Sequence, residues 1–259
     1  MDHRRPRPPD RTPRQIALTE LDLELLRFLS EHRFVLADHA AALLGVTPVT
    51  AGRRLEKLAD GGYARRAAVF TGRPPMYLIR PAGLRAVGST LAAPTLDVHN
   101  YEHDIGVAWL WLAARRGTFG PLREILAERT LRSRDGVPDR DSPMLGVRLG
   151  GTGPHGRERL HYPDLLLMTA DGKRVALELE LSTKGRTRLE SILAAYGADP
   201  RIAGVVYLVQ SQTVARSVER AARRVGVSDL VHLQRVRLNV ARPAAIQSLA
   251  LERASGVSR

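Results

Sequence analysis

The 259-residue sequence contains no cysteine at all. Disulfides, thiolate metal sites and cysteine nucleophiles are therefore excluded, and the chain suits a reducing compartment. Aromatic residues make up only 5%, a share that argues against base-stacking platforms. Lysine is scarce too, occurring only as Lys57, Lys173 and Lys184. No stretch approaches the roughly 18 uninterrupted apolar residues of a membrane span. The charged N-terminus is not followed by the apolar core of a signal peptide, so the expectation is a cytoplasmic protein without membrane contact.

Against these absences stand 40 Lys plus Arg and 27 Asp plus Glu, for a net charge of +13 carried almost entirely by arginine. A polyanion is the natural partner of such a chain. The planar guanidinium fork matches phosphate oxygens and guanine edges. GC-rich coding accounts equally well for the preference of Arg over Lys, but not for the net charge. With 44% hydrophobic and 26% charged residues the composition is that of a globular protein. Its length exceeds the usual single domain of about 100–150 residues, so two domains are expected.

Residues 1–14 hold five Arg, four Pro and no aliphatic residue beyond Met1, the composition of a disordered basic arm. From Thr19 a capped helix begins, with an acidic first turn and with Leu21, Leu25, Phe28 and Leu29 on one face. The stretch ADHAAALLG reads as a short second helix ended by Gly45, and TPVTAGRRLEKLADGG as a third, with Thr47 as cap and Pro48 at its first position. Two short helices joined this tightly present Thr47, Thr50, Arg53 and Arg54 opposite the Leu55/Leu58 face, the arrangement that lowers a recognition helix into a major groove. Two short strands around TGRPP come next and make a hairpin, from which Arg65, Arg66 and Arg73 would reach backbone phosphates. By order of elements residues 16–90 resemble bacterial winged-helix DNA-binding domains. The resemblance implies that residues 15–90 bind double-stranded DNA, although many such domains mediate protein contacts alone.

A linker, STLAAPTLDV, leads into a strongly apolar helix beginning near VHNYEHDIGVAWLW. EILAERTL fits a strand or a helical turn, and residues 133–160, rich in Gly, Pro and Asp, read as a long loop. From Tyr162 strands and helices alternate: PDLLLM, a turn at ADGK, VALELELS, then helix, strand, helix and a last short strand. The fold class expected is α/β (α+β overall), a winged helix-turn-helix followed over residues 91–240 by an α/β domain on a central mixed sheet, with 241–259 as a tail.

In VALELELS the side chains alternate, so Glu178 and Glu180 share one face and Leu177, Leu179 and Leu181 the other. Asp164 opens the preceding strand, and a hairpin through Asp171-Gly172 brings its carboxylate near Glu178. Three hard oxygen donors suit Mg²⁺. Carboxylates so close repel unless something positive stands between them. The competing reading makes them structural groups paired with Arg186 or Arg188. A further alternative takes His99, Glu102 and His103, spaced H-x-x-E-H, as zinc ligands.

Pro163-Asp164 followed by Glu178-Leu179-Glu180 resembles the PD-(D/E)xK nuclease core, over about residues 99–236. That resemblance implies a divalent metal on Asp164 and Glu178, and a lysine two residues further on that positions or activates water. Glu180 stands where that lysine is expected, as in some restriction endonucleases, and Lys184 is the candidate substitute. Glu102 is placed as the further acid that the first helix of such cores supplies. Together LTELDLELLRFLSEHRFVLADHAAALLG, GYARR, HNYEHDIGVA and HYPDLLL…VALELELS resemble the replication-relaxation family of actinobacterial plasmids and mobile elements. Two functions are compatible with these residues. One is a Mg²⁺-dependent endonuclease or nickase, with Asp164, Glu178 and Glu180 on the metal; the other is a non-enzymatic DNA-binding protein whose second domain is an inert dimerisation or docking module. A homodimer is compatible with both.

Overall fold

The computed structural model describes residues 15–137, 144–153, 156 and 158–237. The basic arm 1–14, the tail 241–259 and part of the 133–160 stretch lie outside the described residues.

Thr19 caps the first helix, α1 (Glu20–Glu31): its hydroxyl accepts from the Asp22 amide while the Asp22 carboxylate accepts from the Thr19 amide at 3.0 Å, a reciprocal capping box. The second, α2 (Ala37–Leu44), stops at Gly45, whose φ of +66° is left-handed and costs glycine nothing. Thr47 caps α3 (Pro48–Asp60), with Pro48 in the first turn where its missing N–H is no loss. Strands β1 (Ala64–Ala67) and β2 (Met76–Ile79) pair antiparallel, and the short α4 (Pro81–Ala86) follows. Leu25, Phe28 and Leu29 of α1 meet Leu55 and Leu58 of α3 in one core, as their spacing predicts. Leu21 does not join it and stays 45% exposed, while Leu26, one position round the helix from Leu25, is fully buried.

A 3₁₀ turn (Val98–Asn100) leads into α5 (Tyr101–Arg115), then β3 (Leu122–Ala127) and α6 (Glu128–Gly136). EILAERTL is thus both a strand and the start of a helix. The 133–160 stretch is not a plain loop: it holds the end of α6 and most of an antiparallel hairpin, β4 (Val147–Thr152) with β5 (Glu158–His161). After it come β6 (Leu165–Thr169), β7 (Arg174–Glu180), α7 (Arg186–Ala198), β8 (Ile202–Val209), α8 (Gln212–Arg224) and β9 (Val231–Arg235). The sheet runs β3-β6-β7-β8-β9, its first two pairings antiparallel and its last two parallel. The protein is a mixed α/β structure on a mixed five-stranded sheet. Among the described residues no helix is long and apolar enough to cross a membrane.

α5 is apolar almost all round because it is covered on two sides. Its Ala108 and Leu112 lie in the core of the helical segment, Tyr101 and Ile105 pack with Phe34, Met76 and Leu78, and Leu110 and Ala114 pack against Leu165, Leu177, Leu179 and Leu208 of the sheet. The opposite face of the sheet is closed by α7 and α8 through Ile192, Leu193, Val214 and Val218. Both faces of the central strand β7 are therefore buried.

Candidate functional site

Burial of both faces changes what the alternating glutamates of β7 can be. Leu177 and Leu179 share the core-facing side as expected, and the structure packs that side on α5, but Glu178 and Glu180 are only 2% and 5% exposed. They are not a solvated face, and buried carboxylates require charge or hydrogen-bond partners.

Each carboxylate has its own proton donor. Glu178 Oε1 accepts from Tyr196 Oη of α7 at 2.5 Å and from His161 Nε2 at 2.6 Å. Glu180 Oε2 accepts from Lys184 Nζ. Asp164 Oδ2 accepts from His103 Nε2 of α5 at 3.2 Å and from the Leu179 amide at 2.7 Å. The local cause of the last bond is the register. Leu165 and Leu177 are the final β6–β7 pair, so one step beyond it the Asp164 carboxylate supplies the acceptor that the ladder no longer offers. Arg186, one sequence candidate for these carboxylates, turns instead to Glu190 at 2.9 Å.

The electrostatics reflect this crowding. Burial pushes the Asp164 carboxyl upward, but the charge and hydrogen bond of His103, the Leu179 amide and Lys184 outweigh it and hold the group below the usual carboxylate range. For His103 burial opposes the charged form, yet Asp164 and Asp104 raise it to about 10, so the ring is a cation at neutral pH. Burial raises Glu180 above its ordinary value despite Lys184. Lys184 is discouraged by burial but raised by Glu178, Glu180 and Asp164 together, so one ammonium serves all three carboxylates. It is the positive charge that such a cluster demands. Tyr207, in register with Glu178 on β8, is fully buried, and its hydroxyl finds no partner among the described residues.

The His103–Asp164 pair makes a direct prediction. A histidine whose folded pKa lies above the unfolded value of about 6.5 stabilises fully below that value, and the contribution is lost as pH rises through about 10. NMR titration should find the His103 ring protonated at pH 8, and Asp164→Asn should return it to about 6.5 or below. A wild-type ring titrating near 6.5 would refute the ion pair.

Beside the cluster, bordered by its Glu180 and Lys184, opens a cleft of about 740 Å³. Phe70 and Arg73 of the β1–β2 hairpin line it, together with His99, Glu102 and His103 and with Glu180, Lys184 and Arg188. The His99/Glu102/His103 trio does share this cleft, but not as ligands of one ion: His99 lies in the 3₁₀ turn, Glu102 is 59% exposed with Arg73 4.0 Å away, and His103 is held by Asp164. Among the described residues no group of three or more His, Asp or Glu side chains is placed to hold a metal ion.

The arginines and threonines of the helical segment divide. Thr47 and Thr50 bond each other at the exposed start of α3, and Arg53 is exposed. Arg54 is turned the other way, its guanidinium 2.7 Å from Asp22 of α1, because that carboxylate is fully buried and needs a cation. Arg65 is exposed, while Arg66 pairs with Glu56 at 2.9 Å.

His161, Tyr196, Phe70 and Tyr101 belong to the site although no spacing marks them. His161 stands just ahead of Pro163-Asp164, a faint signal; Tyr196 is one apolar-face residue among several on α7. The chain matches no model of a known protein family, and no curated protein matches it.

Proposed function

We propose that the chain binds duplex DNA through a winged helix-turn-helix at residues 15–90 and that its α/β part is a nuclease-like domain, of PD-(D/E)xK type, directed at the phosphodiester backbone. The setting proposed is replication or relaxation of a plasmid or mobile element, from the resemblance to the replication-relaxation family. The observation that carries this reading is the shared cleft: Phe70 and Arg73 of the hairpin that would act as the wing line one opening with Glu180 and Lys184, the edge of the carboxylate cluster, so a strand held by the first lies beside the second. Support on the reading face comes from α3, where Thr47, Thr50 and Arg53 surround Val49, which is 65% exposed and suited to a thymine methyl. Arg65 and Arg73 supply the phosphate contacts of the hairpin, with Arg66 available on exchange from Glu56.

Asp164, Glu178 and Glu180 are the residues that would hold Mg²⁺, whose chemistry is to acidify a bound water and neutralise the scissile phosphate. Their oxygens suit a hard cation in kind, but the three side chains are not placed around one point, Glu178 and Asp164 being held by their own donors and Glu180 by Lys184, so a divalent ion enters only in exchange for that ammonium and with the carboxylates turned toward it. The same observation favours a second reading, in which Lys184 stands permanently in place of the metal and the domain is a non-enzymatic docking or dimerisation module.

Supercoiled plasmid incubated with the protein and Mg²⁺ or Mn²⁺ should become nicked circle, and Asp164→Asn should abolish the conversion. Equal conversion by both proteins, or none by either, overturns the nuclease. Arg53→Ala should weaken duplex binding about tenfold and lower the salt slope by about one. Unchanged affinity removes α3 from the interface.

A further inference from the structure

The cleft beside the cluster has features that a duplex does not use. Its volume of about 740 Å³ falls in the range of about 300–1,000 Å³ typical of small-ligand sites, room for a nucleotide or two. Two aromatic residues stand in it, in a sequence that has few. Phe70, 37% exposed, packs edge-on against Tyr101 with ring centroids 4.9 Å apart, and Tyr101 stacks in turn on Phe34 at 5.5 Å and 14°. The three rings tie the hairpin to the first turn of α5, so Phe70 is a braced platform. Tyr101 is itself only 6% exposed and lines the cleft, yet its hydroxyl has no hydrogen-bond partner among the described residues. A buried hydroxyl is left unsatisfied at a cost unless a ligand or water completes it.

The charge of the cleft fits the same occupant. Arg73, His103, Lys184 and Arg188 face it against Glu102 and Glu180. Lys184 and Arg188 flank the start of α7, which has no side-chain cap, so its first amides add to the positive field.

We propose that this cleft is a binding site for unpaired single-stranded DNA, with a base against Phe70, the Tyr101 hydroxyl on a base or phosphate oxygen, and the phosphate among His103, Lys184 and Arg188. The inference rests on reading the carboxylate cluster as directed at a phosphodiester, and it names the substrate at that point: a strand that leaves the duplex on its way from α3 to the cluster. A base stacked inside a duplex cannot lie against Phe70, so the target must be frayed, melted or flipped out. Stacking on an aromatic ring tolerates any base, so recognition here is of single-strandedness and sequence is left to α3.

The test uses the full chain and two fluorescent probes, an oligothymidylate of about ten nucleotides, within the span usual for such sites, and a duplex bound through α3. Fluorescence anisotropy should show the single strand bound by the wild type, about tenfold more weakly by Phe70→Ala, several-fold more weakly by Tyr101→Phe, and at near wild-type strength by Phe70→Trp. Duplex affinity should be unchanged in Tyr101→Phe and should fall less than single-strand affinity in Phe70→Ala, whose ring braces the hairpin; retained duplex binding also shows that the variants fold. Single-strand affinity unaltered by Phe70→Ala and Tyr101→Phe, or a wild type that binds the duplex but no single strand, overturns the inference. A wild type that binds the single strand through Phe70 but no duplex supports it and refutes the winged-helix reading instead.

Discussion

Replacing Leu110 with Ala should cost about 3 kcal/mol and lower the melting temperature by roughly 6–12 °C, in a single transition. Leu110 is 1% exposed and packs among Leu165, Leu167, Leu177 and Leu208 on the sheet, so the truncation leaves a cavity that strands cannot collapse to fill. Two positions along the same helix, Leu112 is 2% exposed and lies in the core with Leu25, Phe28 and Leu55. Because one helix completes both cores, neither part retains its packing when the other melts. Leu112→Ala should therefore move the same calorimetric peak by a similar amount. Two peaks, each displaced by only one of the variants, would show that the helical segment and the sheet unfold independently.

The second large effect is expected at Asp22, which is 0% exposed and is reached by four donors: the Thr19 amide at 3.0 Å, the Thr19 hydroxyl at 2.9 Å, Arg54 at 2.7 Å and Lys57 at 2.9 Å. Asp22→Ala removes the return half of the capping box and strands two cations from α3 against α1, at a cost of about 2–4 kcal/mol at pH 7. Burial works against this carboxylate, but the Thr19 amide, Lys57 and Arg54 outweigh it and lower its pKa from 3.8 to about 2. A carboxyl depressed in the folded state stabilises above its unfolded pKa and loses that contribution as pH falls through its folded one. The wild type and Asp22→Ala should therefore differ most in urea denaturation at neutral pH and converge between pH 4 and 2. A difference that persists undiminished at pH 2 would mean that the loss is one of packing and not of charge.

The roles of Arg54 and of Glu178 illustrate how far the chain can be read before it is folded. Arg54 has the spacing of a groove-facing residue, since it lies opposite Leu55 and Leu58 on α3. Its direction is decided by a buried carboxylate 32 residues earlier, a pairing that helical periodicity does not encode. Glu178 and Glu180 were legible as one face of a strand because alternation is local. Their burial was not, since it depends on α7 crossing over that face. Nor were the donors that meet the cluster: His103 lies 61 residues from Asp164, and Tyr196 lies 18 from Glu178 on a different element.

Local physics, then, determined by sequence alone the caps at Thr19 and Thr47, the stop at Gly45, the hairpin, the alternation of β7 and the mixed α/β class. Each depends on the residues within a turn or two, or on a repeat of fixed period. The tertiary structure decided that α5 serves two cores, that Arg54 turns inward while Arg53 stays outside, that Lys184 stands among three carboxylates, and that Phe70 and Tyr101 share a cleft with Lys184 and Glu180. Those outcomes depend on which distant surfaces meet, and burying an apolar helix or a charge is satisfied only by partners that the whole fold brings to it.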